Sequence, residues 1–298
     1  MRALSARTEN VVKKLQLLRL MNQLSSIVHN SSPSKWYKVA AKTGLASKGV
    51  VYCLSGLLAI MAAIHFGNTS PQDAGKNELF GFVKEQPFGR ILVLVIGIGL
   101  ACYALWRWIE ALKDTERKGS DKEGLVKRSA YFFNGLIYAS LSYYAIRSFL
   151  GTESKGNDRQ GWISRMLDQP YGQWLVGLVA LILMVTGAVQ IYRAASGKYK
   201  KYIRGALKND NSAWLSNVGV AGYTARGVVW LIIGWLFMKA ALAADASEAG
   251  ASDSASAFTW LHDSSYGSLL LGGVGAGLIC YGIFMFLRAK YQPIRYRS

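Results

Sequence analysis

The chain has 298 residues, of which 51% are hydrophobic and 17% are charged, and its formal net charge is +18. An ordinary soluble domain has about 25% charged residues, so the composition argues against a water-soluble globular protein. Six apolar stretches, each long enough to cross the ~30 Å hydrocarbon layer of a bilayer, absorb most of the hydrophobic residues. They are Leu45–Phe66, Phe88–Ile109, Ala130–Leu150, Trp174–Tyr192, Gly222–Ala243 and Leu269–Leu287.

Residues 1–39 form a basic tail ahead of the first apolar stretch. Between Val11 and Val28, apolar residues recur at about helical spacing beside three basic side chains. A basic amphipathic helix of this kind typically lies on an anionic membrane surface. We therefore expect a cytoplasmic tail with an interfacial helix that contacts anionic lipid headgroups or a membrane-protein partner.

The rest of the chain repeats two short signatures three times. The first has the form Gly-x-x-x-basic-Gly-Val-Val-aromatic and spans Gly44–Tyr52 and Gly222–Trp230, with a weaker copy at Ala130–Tyr138. The second is a Pro-Phe-Gly-like turn that ends in Gly89, Gly172 and Gly267. The distance between the two signatures is 40 residues from Gly49 to Gly89, 37 from Gly135 to Gly172 and 40 from Gly227 to Gly267.

This regularity predicts three tandem units with two spans each, over residues 40–114, 127–198 and 218–291. Because every unit crosses the membrane twice, all three copies point the same way. Parallel repeats are related by an axis along the membrane normal. The expected fold is an all-α membrane protein, with six transmembrane helices arranged as a pseudo-threefold bundle of helix pairs.

The two signatures resemble a family of bacterial membrane proteins known only as a domain of unknown function. The resemblance covers roughly Ala40 to Tyr291. It implies a six-helix bundle in a bacterial inner membrane, and it brings no established activity or site residues. The middle unit departs from the pattern, because Asn134 stands where the other units have a basic residue.

Small residues recur at spacings that place them on one face of a helix. Such faces let helices approach closely in lipid, where packing drives association. We expect them to serve helix packing, although they could also line a narrow pore. The glycines concerned are Gly49, Gly56, Gly135, Gly227, Gly234, Gly273 and Gly277.

Charged residues inside or beside the spans are the candidate polar sites. Lys48 and Arg226 are equivalent in units one and three, and an ion pair between Lys48 and Glu110 is plausible. The ordinary interpretation is that these bases extend to the membrane surface and mark topology. The alternative is an anion or headgroup site. Lys239 lies inside a span, but near enough to its outer end to extend out of the hydrocarbon.

Three acids precede the second signature glycine by four residues: Glu85, Asp168 and Asp263. They could help to start the following helices, where negative charge suits the helix dipole, or form an acidic ring at an outer mouth. Short amphipathic segments come just before them, which predicts an interfacial helix in each outer loop. Their apolar residues include Leu79 and Phe80, Trp162 and Ile163, and Phe258 and Trp260.

The sequence gives little support to enzyme chemistry. No nucleophile elbow or phosphate-binding loop is present. The three histidines do not have metal-ligand spacing on one helix, although His65 and His262 could face the same side. We expect a non-enzymatic protein without cofactor or metal, and the clustering of its positive charge argues against nucleic acid.

Two functions remain open. The first is an interaction or scaffold component of a membrane complex, which is favoured by the amphipathic tail and by the apparent lack of repeated polar residues at mid-membrane depth. The second is a channel or transporter for an ion or small solute along the pseudo-threefold axis.

Membrane topology is a testable consequence of the charge distribution. The tail, two alternate loops and the C-terminal end hold 24 Lys and Arg residues, against five in the other loops. Positive loops stay in the cytoplasm, so both termini should be cytoplasmic. Reporter fusions after Arg117 and Lys201 should read cytoplasmic, and one at Ser252 should read external. The reverse pattern would contradict the topology.

Overall fold

The computed structural model describes residues 33–66, 69–76, 78–115, 119, 121–151, 171–203, 205, 212–243 and 254–294. Every regular element in these ranges is helical. The amphipathic helix expected between Val11 and Val28 and the acid Asp168 lie outside them. The α-helices are α1 (Pro33–Ala63), α2 (Glu78–Glu85), α3 (Gly89–Lys113), α4 (Lys122–Leu150), α5 (Gly172–Ala195), α6 (Ser212–Ala243), α7 (Ser254–His262) and α8 (Gly267–Tyr291), with 3-10 helices at Pro71–Ala74 and Lys198–Tyr202.

Five of the described helices, α1, α3, α5, α6 and α8, are long and apolar enough to cross a membrane. The sixth predicted span falls in α4, which has the length, at 29 residues, but not the same apolar character. Basic residues in its first two turns and serines along its length lower its hydropathy. Three helices also start at least eight residues before their apolar stretches: α1 at Pro33, α4 at Lys122 and α6 at Ser212.

The long helices pack side by side in the order α4, α3, α1, α8, α6, α5. Neighbouring helices in this order run antiparallel. In α1 and α8, for example, Gly49 lies against Gly282 and Gly56 lies against Gly275. The first helices of the three units, α1, α4 and α6, therefore run in the same direction. Each packs against the second helix of a different unit: α1 against α8, α4 against α3, and α6 against α5.

Glycine makes these contacts between units possible. A Cβ added at Gly56 would lie 2.5 Å from the carbonyl oxygen of Gly275, and one at Gly227 would lie 2.9 Å from that of Gly187. At Gly135 the added atom would lie 2.5 Å from the indole of Trp108. Gly49 and Gly234 are similarly close to a helix of another unit, whereas Gly277 of α8 packs against α6 within unit three. The same contact thus recurs three times along the chain.

Gly273 does not fit the predicted packing. A Cβ there would meet nothing within 4 Å, because the face of α8 that packs against α1 carries Gly275 and Gly282 instead. In a helix this rich in glycine, a GxxxG spacing can be read on more than one face. The Gly273–Gly277 pair therefore does not form one packing surface.

A second type of contact closes units one and three but not unit two. Gly44 and Gly222 each pack against the backbone of a tyrosine in the second helix of their own unit, Tyr103 and Tyr281, at 2.6 Å from an added Cβ. Unit two has Ala130 at the position of Gly44 and Gly222. Its two helices, α4 and α5, do not pack along each other within the described residues.

Short helices precede α3 and α8, as predicted for two of the three outer loops. They are α2 and α7, and the third predicted segment lies outside the described residues. Glu85 and Asp263 do not cap the following helices, whose N-cap residues, Phe88 and Tyr266, make no side-chain capping bond. A side chain at Gly89 or Gly267 would instead overlap a carbonyl oxygen of the preceding short helix, which explains the second signature glycine.

The contact between α1 and α8 predicts that substituting valine for Gly56 and for Gly273 will change the stability of the protein by different amounts. Gly56→Val forces two backbones apart and should destabilise the protein by about 1–3 kcal/mol, the usual cost of overpacking. Gly273→Val adds its side chain to open space and should be nearly neutral. Thermal unfolding in detergent measures both. Equal destabilisation by the two variants would contradict the observed packing.

Candidate functional site: a cationic, tyrosine-rich interior

Lys48 lies in the middle of α1, with only 2% of its surface exposed. Its ammonium group donates to the hydroxyl of Tyr103 over 3.3 Å. It also lies 4.5 Å from the ring centroid of Tyr138 and 4.8 Å from that of Tyr103, within the range of cation–π attraction. The side chain therefore points into the bundle and does not extend to the membrane surface.

Arg226 repeats this arrangement in unit three. It is 7% exposed, its guanidinium donates to the hydroxyl of Tyr281, and it lies 4.8 Å from the Tyr281 ring centroid and 5.5 Å from that of Tyr52. Tyr103 and Tyr281 both stand 14 residues after the second signature glycine. The corresponding residue of unit two is Thr186, opposite Asn134, so that unit lacks both partners.

Arg107 and Glu110 form a buried ion pair on α3. Arg107 also donates through Nε to the hydroxyl of Tyr103 over 2.9 Å, so this hydroxyl accepts from Arg107 and from Lys48. The predicted pair between Lys48 and Glu110 is replaced by this arrangement. Tyr103 links the two cations, and the carboxylate lies on the far side of Arg107.

A further buried cation, Arg288, lies near the end of α8. Its guanidinium donates through Nε to Gln292 over 2.9 Å and lies 4.1 Å from the ring centroid of Tyr202. Burial alone would raise the pKa of the Tyr202 phenol, but the charges of Arg288 and Lys201 lower it overall. Positive potential therefore extends to this end of the bundle.

The charges in the interior do not balance. Among the described residues, the buried charged side chains are four cations and one carboxylate: Lys48, Arg107, Arg226, Arg288 and Glu110. Burying a charge is costly unless an opposite charge or hydrogen bonds compensate for it. The site is thus arranged to receive negative charge.

The other candidate residues lie away from this interior. Glu85 and Asp263 are exposed at the ends of the short helices, and Lys239 is exposed near the end of α6. The rings of His65 and His262 are 5.6 Å apart, but no group of three potential metal ligands occurs in the described part of the chain.

Tyr103, Tyr281 and Arg107 were not among the site residues predicted from the sequence. A usable signal existed for Tyr103 and Tyr281, because both occur at one repeat position. Arg107 has no such signal, since Gln190 and Met285 stand at its repeat position in the other units.

Comparison with known proteins confirms the resemblance noted in the sequence. The family model described as Domain of Unknown Function (DUF1206) matches three times, at residues 43–114, 129–197 and 221–292. An uncharacterized protein of Bacillus subtilis (strain 168), YxxB, is 32% identical over 276 residues, which cover 92% of this chain and 98% of that protein. No solved structure matches the chain.

Two glutamates on neighbouring helices each form an ion pair, one buried and one exposed. Comparing them shows how much burial increases the cost of breaking a pair. Glu110→Gln leaves Arg107 buried beside a neutral group and should cost about 3–5 kcal/mol, the usual effect of breaking a buried pair. Glu123, which pairs with Lys127 on the surface, provides the control, because exposed pairs contribute about 0–1 kcal/mol. Thermal unfolding in detergent compares the variants. Similar losses of stability in the two variants would contradict the prediction, because the Arg107–Glu110 pair would then behave as a hydrated pair.

Proposed function

The chain belongs to the DUF1206 family, and from its structure we propose that it is a six-span membrane protein that binds a small anion in its interior and carries it across the membrane. The observation that carries the proposal is the excess of buried positive charge around Lys48 and Arg226. Ionisable residues within a membrane protein mark ion or substrate pathways as a rule.

Six spans and a pseudo-threefold ring fit the packing order best. The contact between units recurs three times, and α1, α4 and α6 run in the same direction. With α4 as the sixth span, the helices follow one another around an axis along the membrane normal. The ring is left open between α4 and α5, where unit two lacks the contact of Gly44 with Tyr103.

The positions of the cations support passage through this ring. Lys76 follows the end of α1, and Lys48 and Arg226 lie near the middle of their helices. Arg288 lies near the end of α8, nearer than Lys48 to the side of the bundle where α1 starts. A small anion would meet positive charge at each of these levels. A scaffold was favoured by the apparent lack of repeated polar residues at mid-membrane depth. Because α1 starts at Pro33 and α6 at Ser212, Lys48 and Arg226 lie near the middle of their helices and are repeated polar residues of that kind.

Aromatic side chains fill the interior among the described residues. Tyr103, Trp106 and Tyr281 are each about 1% exposed. An open pore would leave such rings in contact with water, so passage would require them to move. We therefore propose a carrier or a gated path, in which cation–π and hydroxyl contacts hold the cations while no anion is bound.

The proposed setting is a bacterial inner membrane with both termini in the cytoplasm and the amphipathic tail on anionic lipid. The protein is proposed to be non-enzymatic. An interaction function has one observation in its favour. Within the described residues, α4 and α5 each pack along only one of the long helices, so the opening between them could take a helix of a partner protein.

Chloride flux into liposomes that contain the purified protein tests the proposal. Lys48→Met removes one interior cation and should lower the flux about tenfold, since a hydrogen bond to a charged group contributes ~1.5–3 kcal/mol. Lys239→Met removes an exposed lysine from α6 and is the matched control, with flux expected to stay unchanged. Circular dichroism and gel filtration would establish that both variants fold.

Flux no greater than in protein-free liposomes would contradict the proposal. Flux that falls equally in both variants would also contradict it, because the interior position of Lys48 would then be irrelevant. In either case, a membrane protein that co-purifies in stoichiometric amount in mild detergent would favour the interaction function.

A further inference from the structure

A small pocket lies beside the cationic interior, between α1, α6 and α8. Its polar lining residues are Tyr52, Ser55, Lys76 and Arg226, and the remaining ones are aliphatic or aromatic. Lys76 follows the 3-10 helix Pro71–Ala74, and Phe258 of α7 contributes from the neighbouring loop region. The pocket is therefore on the side of the bundle where α1 ends.

Two residues that line the pocket carry buried hydrogen-bonding atoms with no partner among the described residues. They are the hydroxyl oxygen of Ser55 and Nε of Arg226, in side chains that are 3% and 7% exposed. Buried polar atoms are paired in the great majority of cases. The serine hydroxyl can donate and the arginine Nε can only donate. Both atoms would be satisfied by one acceptor in the pocket.

The charge of the lining specifies the kind of acceptor. Arg226 and Lys76 are both cationic, and no acid lines the pocket. The Lys76 ammonium lies 5.4 Å from the ring centroid of Tyr52 and 5.5 Å from that of Trp230, which places its charge beside the pocket. A negatively charged acceptor would offset the charge of Arg226, whereas a neutral one would satisfy its hydrogen bond without offsetting its charge.

The size of the pocket narrows the choice further. Its volume of about 20 Å³ is close to the minimum of roughly 10–15 Å³ that holds one water molecule. A halide ion is a single atom somewhat larger than a water molecule, whereas phosphate or a carboxylate-bearing solute needs several times this space.

We propose that this pocket binds a single halide-sized monovalent anion, which accepts hydrogen bonds from Ser55 and Arg226 and lies within the field of Lys76. The inference rests on the proposed function, because it assigns the place where the carried anion is held. The anion would be held on the side of the bundle where α1 ends, because Lys76 and Phe258 lie there.

Bromide binding to the full-length protein in detergent tests the assignment. Bromide is titrated at constant ionic strength against gluconate, and the rise in the unfolding midpoint gives an affinity, because a ligand that binds only the folded state stabilises it. Ser55→Ala should weaken bromide binding about tenfold, the value of one hydrogen bond to a charged group. Lys76→Met should weaken it as well.

Ser148→Ala is the matched control. Ser148 is also a buried serine whose hydroxyl has no partner, but it lies on α4 outside the pocket, so its loss should leave bromide binding unchanged. An equal effect of Ser55→Ala and Ser148→Ala would overturn the assignment. Bromide binding that neither Ser55→Ala nor Lys76→Met alters would place the anion elsewhere and overturn it too.

The remaining outcomes separate the pocket from the proposed function. If bromide stabilises neither the parent protein nor the variants more than gluconate does, the pocket holds water and the assignment is overturned. A chloride flux that still depends on Lys48 would leave the proposed function standing in that case. Conversely, bromide binding that depends on Ser55 but occurs without chloride flux would support the pocket and overturn the transport.

Discussion

The structure depends on the close approach of helix backbones at glycine. In a bilayer the hydrophobic effect does not drive helices together, so close packing has to hold them. Gly49, Gly135 and Gly227 provide it where the first helix of each unit meets the second helix of another. The residue just before each glycine lies about 100° further round the helix. The contact therefore also fixes the direction in which the side chains of Lys48, Asn134 and Arg226 leave the helix. The same signature thus provides the packing contact and the cations of the candidate site.

The second glycine contact completes the site. Gly44 lies about one turn before Lys48 and brings Tyr103 against α1, where its hydroxyl reaches the ammonium group. Gly222 does the same for Tyr281 and Arg226. In unit two, the glycine, the cation and the tyrosine are all replaced, and the described parts of α4 and α5 do not pack along each other. Contact and chemistry are thus lost together, which indicates that one arrangement serves both.

Periodicity predicted the three units, their direction and the packing glycines, because spacing along a chain survives folding unchanged. Burial could not be predicted in the same way. Lys48 follows a stretch with several lysines, and a hydropathy pattern cannot distinguish a lysine that extends to the surface from one that points inward. The start of α1 was placed too late for the same reason. Gly273 was misassigned because α8 carries glycines on more than one face, and only its neighbours decide which face packs.

Stability alone does not account for the interior cations. Replacing buried charges by apolar groups of similar volume is often neutral or stabilising in proteins, and Lys48 and Arg226 rely on neutral tyrosines, not on carboxylates. Hydroxyl and ring contacts are weaker than an ion pair, so they can be exchanged for contacts with an anion. A permanent carboxylate beside each cation would cancel the positive potential and exclude a mobile anion. The one buried carboxylate among the described residues, Glu110, pairs with Arg107 and leaves Lys48 and Arg226 to the tyrosines. This division of partners is what a site for a reversibly bound anion requires.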